Sequence, residues 1–230
     1  MQENLEFINL LEVPDENFGK YIIKPLNLGM GVSIGNLFRR ILLTQMPRTN
    51  ITGVRFAGIT NEFSTIKGVR EDVLEILLNL KQIIFKGFKE EKTYVRIKIT
   101  GPTVITSSCL QSALPDEITL VNPSQYIATI TNDSTLEFEL KIESEKKSNL
   151  ANNQAIFESS DFLEVDKITS PIRQILFDVY KKSETETQEE LVLQIWTDGS
   201  ITPIDALITS VKLVQNLFTQ ITLKNLKILE

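Results

Sequence analysis

The segment from residue 29 to residue 87 constrains the fold most, because its apolar spacing predicts two amphipathic helices joined by a strand. In the first helix, apolar side chains recur at the spacing that lines one side of a 3.6-residue turn. They are Ile34, Leu37, Phe38, Ile41 and Leu42. Arg39 and Arg40 are adjacent, and neighbours on a helix point about 100° apart, so at least one guanidinium faces the surroundings. Pro47 ends the helix. This pattern indicates a surface for other proteins rather than a site of chemistry.

The second helix is predicted by a similar apolar stripe, formed by Val73, Ile76, Leu77, Leu80 and Ile84. The remaining positions are charged, with Arg70, Glu71, Asp72 and Glu75 early and Lys81 late. Early acids and a late lysine match the preference of the helix dipole. For either helix taken alone, the alternative is an ordinary amphipathic segment that covers a core.

A third helix is predicted to begin at Pro203, after the Asp198-Gly199 turn. Thr202 can cap it, and Asp205 at the third position can reach back. Its apolar positions make a stripe wider than one surface helix needs, and they are Ile204, Leu207, Ile208, Val211, Val214, Leu217, Phe218 and Ile221. The helix is therefore covered on more than one side, either by a second copy of the chain or by the core of a single chain.

Strict alternation of apolar and polar residues predicts antiparallel strands with one buried and one wet face over 136–143 and 94–100. Further strands are predicted over 5–13, 21–26, 52–60, 118–121, 126–131, 171–180 and 191–196. Two polar stretches, 144–154 and 181–190, are predicted to be solvated hairpin tips, because they offer little apolar surface to bury. The expected fold class is α+β.

Few residues in the chain could carry chemistry. The absence of histidine removes Ser-His-Asp and Cys-His mechanisms, and the single Cys109 cannot form a zinc-thiolate cluster within the chain. Gly29, Gly31 and Gly35 resemble a dinucleotide loop, but their spacing is one residue too long. A small-ligand-binding enzyme using this loop stays an alternative, and antiparallel strands around the loop would dismiss it. We expect no catalytic residue and no bound cofactor or metal in this chain.

Charge and hydropathy limit the partners. A net charge of −6 argues against direct contact with nucleic acid, and no apolar run reaches the roughly 20 residues of a membrane span. Between residues 18 and 61 there is no acid, although six bases lie there: Lys20, Lys24, Arg39, Arg40, Arg48 and Arg55. This basic region could meet an acidic partner surface, or its bases could pair with acids elsewhere in the chain.

Two long strings identify a family. GNLFRRILL at 35–43 and NEFSTIKGVREDVLEILLNLK at 61–81 resemble the N-terminal half of the α subunit of bacterial-type, plastid-encoded RNA polymerase. KYIIKPLNL at 20–28, GPTVITSSCL at 101–110 and WTDGSITPIDAL at 196–207 extend the resemblance over nearly the whole chain. The chain departs from the family at Asn61, where histidine is usual, and at Leu37 and Phe38, where a small residue and leucine are usual. The match is weak over 143–161.

The resemblance implies a scaffold without catalytic residues of its own, inside a nucleotidyltransferase. The expected dimerisation module comprises 1–47 plus 171–230, with antiparallel strands and two main helices. The inserted module, mostly antiparallel β, comprises 48–170 and contacts the large subunits. A homodimer would nucleate assembly of the β and β′ subunits of a DNA-directed RNA polymerase, one copy holding mainly β and the other β′, with σ joining indirectly. A homodimeric adaptor with this fold outside the polymerase is a further alternative.

The resemblance also implies residue roles. The expected contacts with the large subunits are Arg40, Leu43, Glu62, Ser64, Thr65, Glu75 and Lys81. The expected dimer-interface residues are Ile34, Phe38, Ile41, Val211, Val214 and Phe218. Mg²⁺ and Zn²⁺ are expected only in the large subunits, and the C-terminal domain that binds DNA and activators is expected to be absent. Frequent Ile, Asn and Lys indicate an AT-rich genome, so the expected compartment is the plastid (chloroplast) stroma or a bacterial cytoplasm.

Overall fold

The structure is a computed structural model, and it describes residues 6–10, 16–88, 92–145, 161–181 and 188–226. Its strands are β1 (Glu6–Leu10), β2 (Phe18–Asn27), β3 (Arg48–Phe56), β4 (Phe85–Lys86), β5 (Thr93–Thr100), β6 (Thr103–Thr106), β7 (Thr119–Leu120), β8 (Tyr126–Ile130), β9 (Thr135–Glu145), β10 (Leu163–Glu164), β11 (Ile172–Tyr180) and β12 (Gln188–Thr197). Its helices are α1 (Met30–Thr44), α2 (Val73–Lys81) and α3 (Pro203–Leu226), with a short 3₁₀ turn at Ser107–Leu110. The fold is α+β with antiparallel sheets, as the sequence predicts. Residues 1–46 and 170–230 form one compact unit, and residues 47–169 form another.

The first unit is built on a four-stranded antiparallel sheet with the strand order β1-β2-β12-β11. α1 and α3 pack against this sheet and against each other. Buried side chains from both helices, three strands and the segment after α1 form the core: Tyr21, Ile41, Leu42, Met46, Ile172, Ile175, Leu193, Ile195, Ala206 and Leu207. The period-two pattern of β11 and β12 therefore places one row of apolar side chains under the helices.

Two glycines bring α1 close to β11. A Cβ atom at Gly35 would lie 2.5 Å from the ring of Phe177, and one at Gly31 would lie 2.7 Å from Val179. Such distances are below van der Waals contact, so any side chain here would force helix and strand apart. Two of the three glycines that resemble a dinucleotide loop thus serve the packing of helix on strand. Gly29 precedes the helix with φ 85°, a left-handed conformation that glycine adopts without strain.

The second unit contains a four-stranded antiparallel sheet in the order β10-β3-β9-β5 and two ribbons, β4-β7 and β6-β8. β9 shows the predicted alternation: its buried side chains are Leu136, Phe138, Leu140 and Ile142, and the intervening ones face partly to solvent. α2 buries its predicted positions Val73, Ile76, Leu77 and Leu80 in the core of this unit. α2 contacts β3 and β8.

Several predicted boundaries are wrong. α2 begins only at Val73, because Asp72 is extended and its side chain accepts a hydrogen bond from the backbone N–H of Glu75, which caps the helix. Arg70 and Glu71 therefore precede the helix, and Ile84 follows its end at Lys81. The strand predicted over 52–60 instead spans Arg48–Phe56, since Gly58 takes a positive φ in the turn that follows.

The remaining predicted elements agree more closely. α3 begins at Pro203, and Thr202 Oγ1 accepts a hydrogen bond from Asp205 N (3.2 Å) while donating one to Asp205 Oδ2 (2.6 Å). β9 extends to Glu145 and β12 begins at Gln188, so these ends of the two predicted loops are strand. The rest of those loops, 146–154 and 182–187, and the end of the first predicted strand, 11–13, lie outside the described residues. Within the described part of the chain, no helix is both long and apolar enough to cross a membrane.

Candidate protein-interaction surfaces

In the first unit, α1 presents two arginines. Arg39 and Arg40 are both exposed, and Leu43 beside them is 36 % exposed. Among the described residues, neither arginine has an acid within ion-pair distance. Other bases of the same acid-free stretch do pair internally: Lys24 with Glu190 (3.7 Å) and Arg55 with Glu139. Internal pairing therefore accounts for Lys24 and Arg55, whereas an acidic partner for Arg39 and Arg40 stays a prediction.

The six predicted dimer residues divide into three groups by burial in the first unit. Ile41 is buried in the core of its own unit, while Phe38 and Val214 are half-buried and pack against that core. Ile34 is also half-buried, whereas Val211 and Phe218 are 38 % and 57 % exposed. Ile208 and Leu217 on the same helix are exposed as well. The wide stripe of α3 thus has one side in the core of its unit and apolar side chains at the surface on another.

A protein carboxylate occupies the N-terminus of α1. The backbone N–H of Gly31 donates a hydrogen bond to Glu189 Oε2 (3.1 Å), and Glu189 is buried. The backbone N–H groups of Gly29 and Gly31 hold the pKa of Glu189 below its ordinary value, because they stabilise its charged form. The amides that would bind a phosphate in a dinucleotide loop are thus already used. This contact and the antiparallel sheet remove the small-ligand alternative.

In the second unit, the segment before α2 lies against the N-terminus of that helix. Ser64 O accepts a hydrogen bond from Val73 N (3.1 Å), and Thr65 forms a β-bridge with Asp72. Of the five predicted contact residues here, Glu62, Thr65 and Glu75 are exposed, whereas Ser64 and Lys81 are half-buried. Lys81, at the end of the helix, pairs with Asp166 (3.1 Å).

The same region exposes three large apolar side chains that the predicted contact set does not include. Phe63 is 72 % exposed, Leu78 is 51 % exposed and Leu74 is 36 % exposed. We call Phe63, Leu74 and Leu78 the α2 patch. Leu74 and Leu78 lie one turn apart on α2, away from the buried stripe. This second apolar row along the helix is the sequence signal that could have indicated their exposure. The sequence around Phe63 carries no comparable signal, because an isolated aromatic in a loop has no periodicity.

A buried carboxylate fixes the segment before α2 to strand β8. Glu71, 5 % exposed, accepts hydrogen bonds from Thr129 N (2.7 Å), Arg70 Nε (2.8 Å) and the hydroxyl of Tyr126. Burial acts to raise the pKa of Glu71, but these donors outweigh it and hold the pKa below its ordinary value. The apolar spacing of α2 predicts Glu71 on the wet side of the helix. A charge next to an apolar stripe gives no sign that a tyrosine 55 positions away will bury it.

Comparison with known proteins decides the family. The model of the RNA polymerase Rpb3/RpoA insert domain matches residues 54–170. DNA-directed RNA polymerase subunit alpha of Trieres chinensis is 45 % identical over 89 % of this chain and 65 % of its own length. The protein of the same name in Thalassiosira pseudonana is 46 % identical over the same shares, and the one in Pyropia yezoensis is 41 % identical over 91 % and 67 %. The chain belongs to the RNA polymerase α-subunit family. It spans about two thirds of the length of these relatives.

The matched insert domain covers part of the predicted contact set. The residues that fall inside it are Glu62, Ser64, Thr65, Glu75 and Lys81, together with the α2 patch and Glu71, whereas Arg40 and Leu43 fall outside.

The described residues of this chain include no group of three or more Cys, Asp or Glu placed to hold a metal ion. Cys109 is half-buried, and burial raises the pKa of its thiol to about 11. The thiol therefore stays protonated at neutral pH, and Cys109 packs against the core of the second unit.

Proposed function

We propose that this chain is a noncatalytic scaffold that homodimerises and nucleates the assembly of the β and β′ subunits of a DNA-directed RNA polymerase. The observation that carries the proposal is the similarity of nearly nine-tenths of the chain to proteins named DNA-directed RNA polymerase subunit alpha. The exposed arginines of α1, the exposed apolar side chains of α3 and the α2 patch support it, because a scaffold needs surfaces for other proteins. Its output is binding free energy, and bond formation belongs to the large subunits.

The proposed dimer interface is formed by α1 and α3. Val211 and Phe218 supply exposed apolar surface, and Phe38, Val214 and Ile34 are half-buried beside it. Ile41 lies under them in the core, where it holds α1 in place for the interface. Covering an apolar surface of this kind with a second copy removes it from water, which is the main favourable term in protein association.

The proposed contacts with the large subunits lie on both units. Arg40 and Leu43 belong to the first, whereas Glu62, Ser64, Thr65, Glu75 and Lys81 belong to the second. Arg40 is the strongest candidate, since its planar guanidinium can bind a carboxylate with two hydrogen bonds and is exposed to receive one. One copy would hold mainly β and the other mainly β′.

Other parts of the proposal concern cofactors, partners and compartment. The chain would hold no cofactor, with Mg²⁺ and Zn²⁺ confined to the large subunits. σ would join indirectly, and nucleic acid would not touch the chain, since its net charge is −6. The similarity to algal proteins favours the plastid stroma, and a bacterial cytoplasm fits the same family.

Sedimentation equilibrium tests the proposal in two steps. The purified chain should sediment as a dimer, and addition of purified β should give a larger complex that then captures β′. A chain that is monomeric and binds neither large subunit would contradict the proposal. A dimer that binds neither would favour the adaptor alternative instead.

A further inference from the structure

Phe63 is the most exposed of the large apolar side chains in the described part of the chain, at 72 %. Its backbone is nevertheless fixed by a tight turn, because Asn61 Oδ1 accepts a hydrogen bond from Phe63 N (2.9 Å) and Asn61 O accepts one from Ser64 N (3.2 Å). An aromatic ring held in water on an ordered turn forgoes the stabilisation that burial would give. Such a ring is suited to burial by a partner without much loss of conformational entropy.

The rest of the α2 patch is equally ordered. The Ser64–Val73 hydrogen bond and the Thr65–Asp72 bridge hold the segment that follows Phe63 against the start of α2. Leu74 lies in the first turn of that helix, and Leu78 follows one helical turn later. α2 itself is held to β8 by Asn79 Nδ2, which donates a hydrogen bond to Ile127 O (3.0 Å). The backbone that carries all three apolar side chains is thus fixed before any partner binds.

The charges along the patch are acidic. Glu62 and Glu75 are exposed, and among the described residues neither has a base within ion-pair distance. Bases of the same segment are neutralised, since Lys81 pairs with Asp166 and Arg70 with Glu71. Lys67 is exposed too. It follows the Thr65–Asp72 bridge, however, and the chain there runs antiparallel to the segment that leads into α2, away from Leu78.

We propose that Phe63 anchors a docking site made by Phe63, Leu74 and Leu78, and that this site takes a segment of a large polymerase subunit with apolar side chains flanked by Lys or Arg. The inference rests on the proposed function, because it specifies how that scaffold holds a large subunit. Aromatic side chains, phenylalanine among them, are enriched in the buried cores of protein interfaces. The two unneutralised carboxylates at its border favour a basic segment over an acidic one.

The test uses the full chain and purified β and β′, each titrated separately to give a dissociation constant. Phe63→Ser should weaken capture of one large subunit by about thirtyfold or more, the loss typical of a hot spot. Leu78→Ser provides a second probe of the same patch. Val104→Ser is the matched control, since Val104 is 58 % exposed in the same unit, and it should stay within about threefold of wild type.

The charge of the partner is tested by reversal. The double variant Glu62→Lys and Glu75→Lys should bind about tenfold or more weakly at low salt, and the loss should shrink as salt screens the charges. Asp116→Lys with Glu117→Lys is the control, because both are exposed carboxylates of another loop in the same unit.

Each outcome separates this inference from the proposed function. Equal capture by wild type, Phe63→Ser and Leu78→Ser would overturn the anchor, and an unchanged charge-reversal variant would overturn the basic partner. Loss of the homodimer in Phe63→Ser, with capture retained, would assign the patch to a second copy and overturn the proposal. A wild-type chain that captures neither large subunit would contradict the proposed function itself.

Discussion

Replacing Glu71 by glutamine tests how the segment before α2 is held. The Glu71 carboxylate is buried and accepts charge-assisted hydrogen bonds from Thr129 N and the Tyr126 hydroxyl. A hydrogen bond to a charged group contributes about 1 kcal/mol more than one to a neutral group. Arg70 adds little, because its side chain is 66 % exposed and well screened. Glu71→Gln should therefore lower the free energy of unfolding of the second unit by about 2 kcal/mol at pH 7.

The effect should depend on pH. The pKa of Glu71 is lowered in the folded state, so the unfolded chain binds more protons in the acidic range and stability falls as pH falls. The contribution of the carboxylate is fully present above its unfolded pKa, about 4.3, and is lost as pH falls through the lower folded pKa. The difference between wild type and Glu71→Gln should therefore be largest at neutral pH and shrink below about pH 4.3.

The assay is urea unfolding followed by circular dichroism at neutral and acidic pH, together with hydrogen exchange at the amide of Thr129. Trp196, the single tryptophan, packs on Phe18 in the first unit, so its fluorescence transition provides an internal control that should not change. Glu75→Gln is the matched variant, since Glu75 is exposed, and it should be nearly neutral. A Glu71→Gln protein as stable as wild type at pH 7, or a stability difference independent of pH, would refute this reasoning.

Three further predictions concern the first unit. Arg40→Ala should leave the dimer intact and weaken capture of β by about 2 kcal/mol or more in a binding titration; equal binding by both proteins would remove Arg40 from the interface. Phe38→Glu or Val211→Glu should place a charge in the apolar dimer seam and give monomers or aggregate, whereas a dimer unchanged in sedimentation would disprove that seam. Gly35→Ala should lower stability to urea by about 1–2 kcal/mol, because overpacking against Phe177 exceeds the gain in helix propensity, and a more stable variant would show that helix and strand can separate freely.

The spacing of apolar residues predicts those helices and strands that have one buried and one exposed side. The alternation in β9 and the 3.6-residue spacing of α1 and α3 follow from one buried side, and the cap at Thr202 fixed the start of α3. The start of α2 was misjudged because Glu71 and Asp72 fit a helical first turn by type. Glu71 instead accepts a hydrogen bond from the backbone N–H of Thr129, which is distant in sequence. Asp72 accepts one from the backbone N–H of Glu75, which is only three residues away.

The candidate surfaces were predicted less completely. The family strings pointed to Glu62, Ser64 and Thr65, whereas the exposure of Phe63 depends on a turn and on the pairing of residues 64–65 with 72–73. Glycine spacing likewise suggested a ligand loop, and the contact of Gly35 with Phe177 shows the packing reason for it. Such tertiary contacts leave no periodic trace in the sequence.

The mass and activity of the particle that contains the chain test the scaffold role most directly. A tagged chain isolated from its natural source should purify with two polypeptides, each several times its own 26.1 kDa, and with a second copy of itself, in a particle that synthesises RNA on a DNA template. Recovery of the chain alone as a monomer, with RNA synthesis in fractions that lack it, would contradict that role.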